Sequence, residues 1–190
     1  MPSSPLPSAG NPSPLFSAVM PMPFGHIGIA TCAGFIDQIV FLPNEHPLQP
    51  AHDELAEKAI AQIERYLQDP NVRFTLPLLI QGSQYRRRIW AAIAAIPCGQ
   101  TRTYGDLAKD VDSVPRAVGQ ACGDNPFPLV IPCHRVVTHS GIGGFAHNEK
   151  GYLIDIKRWL LAHEGNLRPG DEIQGNLFET PRDISGQLDL

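Results

Sequence analysis

The feature that most constrains this chain is the run Ile-Pro-Cys-His-Arg-Val-Val at 131–137. Pro132 holds its own φ and pushes Ile131 away from helical backbone. The β-branched residues Ile131, Val136 and Val137 favour extended geometry as well. The run therefore predicts a short, stiff, largely buried strand that contains Cys133. A free thiol is mostly protonated at neutral pH, whereas the thiolate is the nucleophile. The adjacent His134 makes Cys133 a candidate nucleophile with a base close by. On a strand, neighbouring side chains point to opposite faces. That predicts a relay through water, with a third group orienting the imidazole, and Glu164, at the end of the last predicted helix, is the candidate. Alone, a Cys-His dipeptide is structural in most proteins.

The rest of the chain supplies the scaffold. Its 190 residues are 43% apolar, enough for one large domain or a small and a medium one. No apolar run approaches a membrane span. Residues 1–23 are rich in Pro and Ser and read as a disordered tail. They lack the basic start and unbroken apolar core of a signal peptide. Cys32, Cys98, Cys122 and Cys133 form no CxxC pair, and no zinc-finger spacing occurs. The expectation is reduced thiols, no metal and no cofactor.

Residues 24–80 read as a small α/β domain. Strand-like runs at 26–32 and 35–42 flank Ala33-Gly34 as a hairpin. Leu55, Ala59, Ile63 and Tyr66 recur at helical spacing over 52–68. A further strand is expected within 72–80, with Pro77 confining it to an edge. His26 and His52 stand alone, and no catalytic set is evident.

Residues 81–165 have a different texture. Ser83 is placed to cap a helix over 84–96, with Ile89, Ile93 and Ile96 on one face and Arg86, Arg87 and Arg88 near its start. Thr103 caps a helix over 104–110. Asp112-Ser113-Val114-Pro115 caps and starts another over 116–122. Two short helices across a tight polar turn fit helix-turn-helix geometry, with the second helix entering a groove. That helix offers little beyond Arg116 and Gln120 for reading bases, which suits contact with little sequence preference. The glycine-rich loop at 140–144 lacks the Gly-Lys-Ser/Thr of a phosphate cradle and ends on Phe145. A last helix spans 151–163, with Leu153, Ile156, Leu160 and Leu161 inward and Gly165 as its stop. Residues 166–190 read as a polar tail.

Net charge is −4, which argues weakly against a nucleic-acid partner. The distribution is uneven. Residues 81–164 carry ten Lys/Arg against seven Asp/Glu, while the remainder carries five against twelve. A locally basic half can meet phosphate while the acidic half faces away.

Five motifs in order carry a resemblance. They are Ile-Pro-Cys-Gly-Gln-Thr-Arg-Thr-Tyr-Gly-Asp-Leu-Ala (96–108), Pro-Arg-Ala-Val-Gly-Gln-Ala (115–121), Asn-Pro (125–126), the run at 131–137, and Lys-Arg-Trp-Leu-Leu-Ala-His-Glu-Gly (157–165). Over about 84–165 the chain resembles the O6-alkylguanine-DNA alkyltransferases, the methylated-DNA–protein-cysteine methyltransferases. The resemblance implies an RNase H-like α/β N-terminal domain. It also implies a mainly α C-terminal domain with a helix-turn-helix and a short active-site strand. It implies direct-reversal repair: an alkylated guanine is flipped out of duplex DNA and its alkyl group moves irreversibly to Cys133. O4-alkylthymine stays open as a second lesion. A lesion sensor that binds through the same helices without transfer is the alternative.

By matched position, His134 is the water-linked base, Glu164 its orienting group and Asn125 the brace of the active-site turn. Tyr104, Arg116, Ala117, Gln120 and Arg135 fall on the DNA side, with Arg116 filling the gap left in the stack. Val136, Phe145 and Lys157 fall at the substrate pocket, Val136 through its carbonyl. Phe145 stands where some members have Tyr. The implied partner is double-stranded DNA carrying alkylated bases. The implied state is a monomer in the cytoplasm, associated with the nucleoid, without a membrane partner.

Overall fold

The computed structural model describes residues 16–167 and 170–171. Three antiparallel strands, β1 (Ala18–Met22), β2 (Gly25–Cys32) and β3 (Phe35–Leu42), form a sheet in sequence order. β2 and β3 make the expected hairpin, which Ala33 and Gly34 turn with φ of 50° and 81°.

β1 is a correction, because it lies within the stretch read as a disordered tail; residues 1–15 of that stretch fall outside the described residues. Prolines and serines mask a short apolar strand whose Ala18, Val19, Met20 and Met22 become buried once β2 lies alongside. Phe16 covers Gly28 so closely that a Cβ there would come within 2.6 Å of its ring, the close approach that glycine in a strand permits. The strand expected within 72–80 reduces to an isolated bridge, Leu78 to Ile36. Ile36 donates to the Pro77 carbonyl at 2.8 Å, and Leu79 donates back at 2.9 Å. Pro77 has no N–H with which to extend the ladder.

The helices begin where local chemistry allows. α1 (Glu54–Gln68) is capped by Asp53, whose Oδ1 accepts from the Ala56 N–H at 2.8 Å. Asp53 Oδ2 accepts from Thr31 at 2.6 Å, tying the helix start to β2. Ser83 caps α2 (Gln84–Ala94), and Thr103 caps α3 (Tyr104–Asp110). α4 (Pro115–Gly123) starts on Pro115 without a side-chain cap. Asp112 and Ser113 do not cap it as expected; Ser113 is hydrogen-bonded to Tyr85 of α2 instead. α5 (Tyr152–His163) ends before Gly165, whose φ is 74°.

One apolar core runs through both halves of the chain. Phe24 packs between Phe41 and Trp159, with ring centroids 5.5 and 5.1 Å away. Those contacts join the sheet to α5. Truncating such a core aromatic to Ala costs about 3–5 kcal/mol. Trp90 of α2 donates to the Ala121 carbonyl of α4 at 2.8 Å, and the Ile39 N–H donates to the Pro126 carbonyl at 2.9 Å. The segment carrying Cys133 is thus fastened to helices on one side and to the sheet on the other. No described helix is long and apolar enough to cross a membrane.

Candidate active site

The segment around Cys133 is not the strand its β-branched flanks suggest. Cys133–Arg135 coil into a 3-10 turn, and only Val136–Val137 are extended, as β5. The reason lies in Pro132, whose ψ of 66° bends the chain so that the Cys133 N–H reaches the Ile131 carbonyl at 2.8 Å. The Arg135 N–H then reaches the Pro132 carbonyl at 2.9 Å. β5 pairs in parallel with β4 (Arg102–Thr103), Val136 opposite Arg102.

Asn125 organises the loop before the turn. Its Nδ2 donates to the Ile131 carbonyl at 2.8 Å and to Cys133 Sγ at 3.2 Å, while its Oδ1 accepts from the Phe127 N–H at 3.0 Å. Leu129 stands at the apex of this loop with φ of 73°, a left-handed conformation that a branched side chain adopts only when its surroundings impose it. Burial pushes the Cys133 thiol up, against the Asn125 hydrogen bond and the Lys157 charge, which favour the thiolate.

Behind Cys133 lies a sealed polar cluster. His134 Nε2 is 2.8 Å from Glu164 Oε1. Arg135 grips the same carboxylate with Nε to Oε2 at 2.8 Å and Nη2 to Oε1 at 2.9 Å. A third guanidinium nitrogen donates to the Ile96 carbonyl at 2.6 Å. Tyr66 of α1 donates to Glu164 Oε1 at 2.9 Å. Burial alone would raise the Glu164 carboxyl, but its contacts with His134 and Arg135 outweigh that and pull it down to about 2. Burial lowers His134 despite Glu164. Arg135 is a permanent cation, so Glu164 stays ionised while His134 is neutral. An ionised carboxylate only accepts, so the neutral imidazole carries its proton on Nε2. Its Nδ1 is buried and makes no hydrogen bond to the protein. On this tautomer Nδ1 carries a lone pair, which makes it able to accept a proton.

In front of Cys133 lies a cavity of about 630 Å³. Tyr104, Arg116, Gly119, Gln120, Cys122 and Phe145 are among the residues lining it. Lys157, fully buried, donates to the Val136 carbonyl at 2.6 Å and to the Gly144 carbonyl at 2.9 Å. Burial lowers its ammonium to about 8. Its Nζ lies 5.8 Å from the centre of the Tyr104 ring, a cation–π distance. The Tyr104 hydroxyl donates to Gly144 at 3.1 Å, and burial raises it well above the ordinary phenol range.

Cys133, His134, Glu164 and Asn125 come together. Tyr104 and Phe145 line the cavity, while Lys157 and Val136 lie fully buried, joined to each other through the Val136 carbonyl. Arg116 and Gln120 are exposed at the cavity, whereas Ala117 is half-buried beside them. Arg135 is a correction. Expected on the DNA side, it faces inward, because the buried Glu164 carboxylate and the Ile96 carbonyl use its guanidinium.

Two residues escaped sequence reading. Tyr66 fits the apolar face of α1, and no local pattern reveals its hydroxyl's partner 98 positions away. Cys122 gave no motif, yet it lines the cavity with Cys133, and burial raises its thiol to about 12.

The family model described as 6-O-methylguanine DNA methyltransferase, DNA binding domain, matches residues 84–166. A methylated-DNA–protein-cysteine methyltransferase of Methanosarcina mazei is 34% identical over 139 residues, 69% of this chain and 85% of the relative. One from Methanosarcina acetivorans is 30% identical over 160 residues, 80% of this chain and 99% of the relative. The crystal structure of Mycobacterium tuberculosis OGT in complex with DNA is similar at a TM-score of 0.64 and 28% identity, over 80% of this chain and 94% of that one.

Proposed function

The chain belongs to the methylated-DNA–protein-cysteine methyltransferase family, and from that premise we propose that it repairs alkylated DNA by direct reversal at Cys133. An alkyl carbon on O6 of a stacked guanine is out of reach of any side chain, so the base must leave the helix. The open cavity in front of Cys133 is the natural place for it.

The chemistry is a displacement at carbon. The Cys133 proton passes through water to His134 Nδ1, Sγ attacks the alkyl carbon, the carbon–oxygen bond breaks and guanine leaves with the electron pair. Burial of both groups keeps the resting thiol and imidazole uncharged, so charge develops only as the proton moves. Glu164 stabilises the imidazolium that forms, as an orienting carboxylate does in other nucleophile–base systems. Lys157 and the Tyr104 hydroxyl stand near the cavity to favour the departing oxygen. The Val136 carbonyl has a second lone pair for the guanine amino group. The thioether is stable, so each molecule acts once. O6-alkylguanine is the substrate class, with O4-alkylthymine a second.

On the DNA side, α3 and α4 act as a helix-turn-helix. Arg116, Ala117 and Gln120 approach the groove, and Arg116 fills the vacated stack. Small side chains on α4 suit lesions that occur in any sequence. Residues 81–165 form the unit that binds DNA and transfers the group. The α/β part up to residue 80, of RNase H-like build, supports it. The protein acts as a monomer on duplex DNA in the cytoplasm, at the nucleoid.

The observation that carries this reading is the placement of Cys133 between an open cavity and a sealed His134–Glu164 pair. Its test is to mix the protein with a duplex containing O6-methylguanine and weigh the intact protein. One added alkyl group, mapped to Cys133 and never exceeding one per molecule, is the expected result. Tight binding with unchanged protein mass would leave a lesion sensor instead.

A further inference from the structure

The Glu164 carboxylate has more donors than a relay to His134 requires. Its Oε1 accepts from His134 at 2.8 Å, from Arg135 at 2.9 Å and from the hydroxyl of Tyr66 at 2.9 Å. Tyr66 reaches this point from the last turn of α1, on the far side of the core, and is 1% exposed. Its ring has ample apolar reason to be there. It packs on Phe74 at 5.7 Å and on His163 at 5.2 Å between centroids. Phenylalanine would fill the same volume, so the hydroxyl calls for its own explanation.

An oxygen that takes several donors divides its charge among them: each donor stabilises the ionised carboxylate, makes it a weaker base and so lessens its pull on the other protons. We propose that Tyr66 is a positioning residue for alkyl transfer, its hydroxyl limiting how strongly Glu164 holds the Nε2 proton so that His134 Nδ1 stays available to the thiol. This rests on the reading that Cys133 is the alkyl acceptor.

The groups that face the pair are few. Arg135 comes from the 3-10 turn, Cys98 from the turn after α2, Lys157 and His163 from α5, and Tyr66 from α1. Arg135 is the fixed charge that keeps Glu164 ionised, and the Lys157 ammonium is held by the Val136 and Gly144 carbonyls. His163 is held by the Tyr66 carbonyl at 2.8 Å. Among them the hydroxyl is a neutral donor that can be removed or strengthened without changing a charge.

The sign follows. Without the hydroxyl, Glu164 draws harder on His134, the imidazole becomes more basic, and it stays protonated to a higher pH. The acid limb of alkyl transfer then moves up. A stronger donor moves it down.

The experiment follows adduct formation by intact mass in single turnover across the acid and neutral range. It uses wild type, Tyr66→Phe, Phe74→Leu and protein with a ring-fluorinated tyrosine at position 66. The acid limb of Tyr66→Phe is expected to rise by roughly 0.5–1 pH unit. That of the fluorinated protein, a stronger donor of nearly the same shape, is expected to fall. Phe74→Leu disturbs the ring packing but keeps the hydroxyl, and should melt earlier with an unmoved limb. An unmoved limb in Tyr66→Phe, or an equal rise in Phe74→Leu, would overturn the inference. If Tyr66→Phe does not fold, the fluorinated protein decides: a downward limb supports the inference and an unmoved one overturns it. Wild type that forms no adduct at any pH would defeat the repair reading itself.

Discussion

The two sides of Cys133 are built on opposite plans. Behind it, Glu164 has both oxygens occupied, by His134, Arg135 and Tyr66, and every one of these groups is wholly or largely buried. In front, the cavity is open, and α4 presents small residues and an exposed Arg116. The lesson concerns where precision is needed. In the proposed reaction the rear transfers a proton, a step that loses rate steeply when groups shift by an ångström, and its many bonds suit that role. The front is proposed to receive a base from DNA of any sequence, and its open, sparsely furnished form suits that.

Substitutions that strike the junction or the rear should cost most. Cys133→Ala should abolish adduct formation completely while leaving affinity for alkylated duplex intact, read by mass and by gel shift. A Cys133→Ala protein that still clears the lesion would end the proposed chemistry.

Glu164→Gln comes next. It leaves the Arg135 guanidinium buried without its counter-charge, which costs about 3–5 kcal/mol of stability. It also permits the wrong histidine tautomer, so transfer should slow by roughly 100-fold or more. Calorimetry and single-turnover rates check the two effects. The same carboxylate predicts a pH dependence. Its pKa falls from 4.5 to about 2 on folding. It therefore contributes stability that is whole above 4.5 and drains away as pH drops towards the folded value. His134, lowered from 6.5 by burial, acts in the same sense, because the unfolded chain takes up its proton first. Melting temperature should therefore fall on acidification from neutral pH, and Glu164→Gln should flatten the lower part of that slope.

Asn125→Ala removes the donor to Sγ and the brace of the Ile131 carbonyl. A hydrogen bond of about 1–1.5 kcal/mol corresponds to a rate roughly tenfold lower, with wild-type DNA affinity. Equal losses of rate and affinity would show that Asn125 shapes the front of the site as well.

Arg116→Ala should have the smallest effect on the folded protein, within about 0.5 kcal/mol, as expected for an exposed side chain. Its consequence is confined to DNA. Binding should weaken, repair should slow in step, and the salt dependence of binding should fall by about one charge. If Arg116→Ala altered melting but not binding, the contrast between the two sides would be lost.

Much of this was readable before any fold was known, and the parts that were not share a cause. Ser83, Thr103 and Gly165 mark helix boundaries through bonds or backbone conformations that lie within a few residues. The five ordered motifs brought Cys133, His134 and Glu164 forward together. By contrast, β1 hid among prolines because only pairing with β2 makes its apolar residues a strand. The 3-10 turn hid behind β-branched neighbours, because the bend at Pro132 is held by bonds from Asn125 and to β4. Arg135 looked like one more cation for phosphate.

By itself, then, the sequence determined the order of helices, a candidate sulfur with a histidine beside it and the uneven charge. All of these follow from residue type and short spacing. Tertiary structure decided what each group is bonded to. His134 meets Glu164 across 30 positions, Arg135 meets Ile96 across 39, and Tyr66 meets Glu164 across 98. Local propensity carries no information over such separations. Only the shared apolar core, by closing β2, α1 and α5 around one point, puts three donors on one carboxylate oxygen and leaves the sulfur facing the open side.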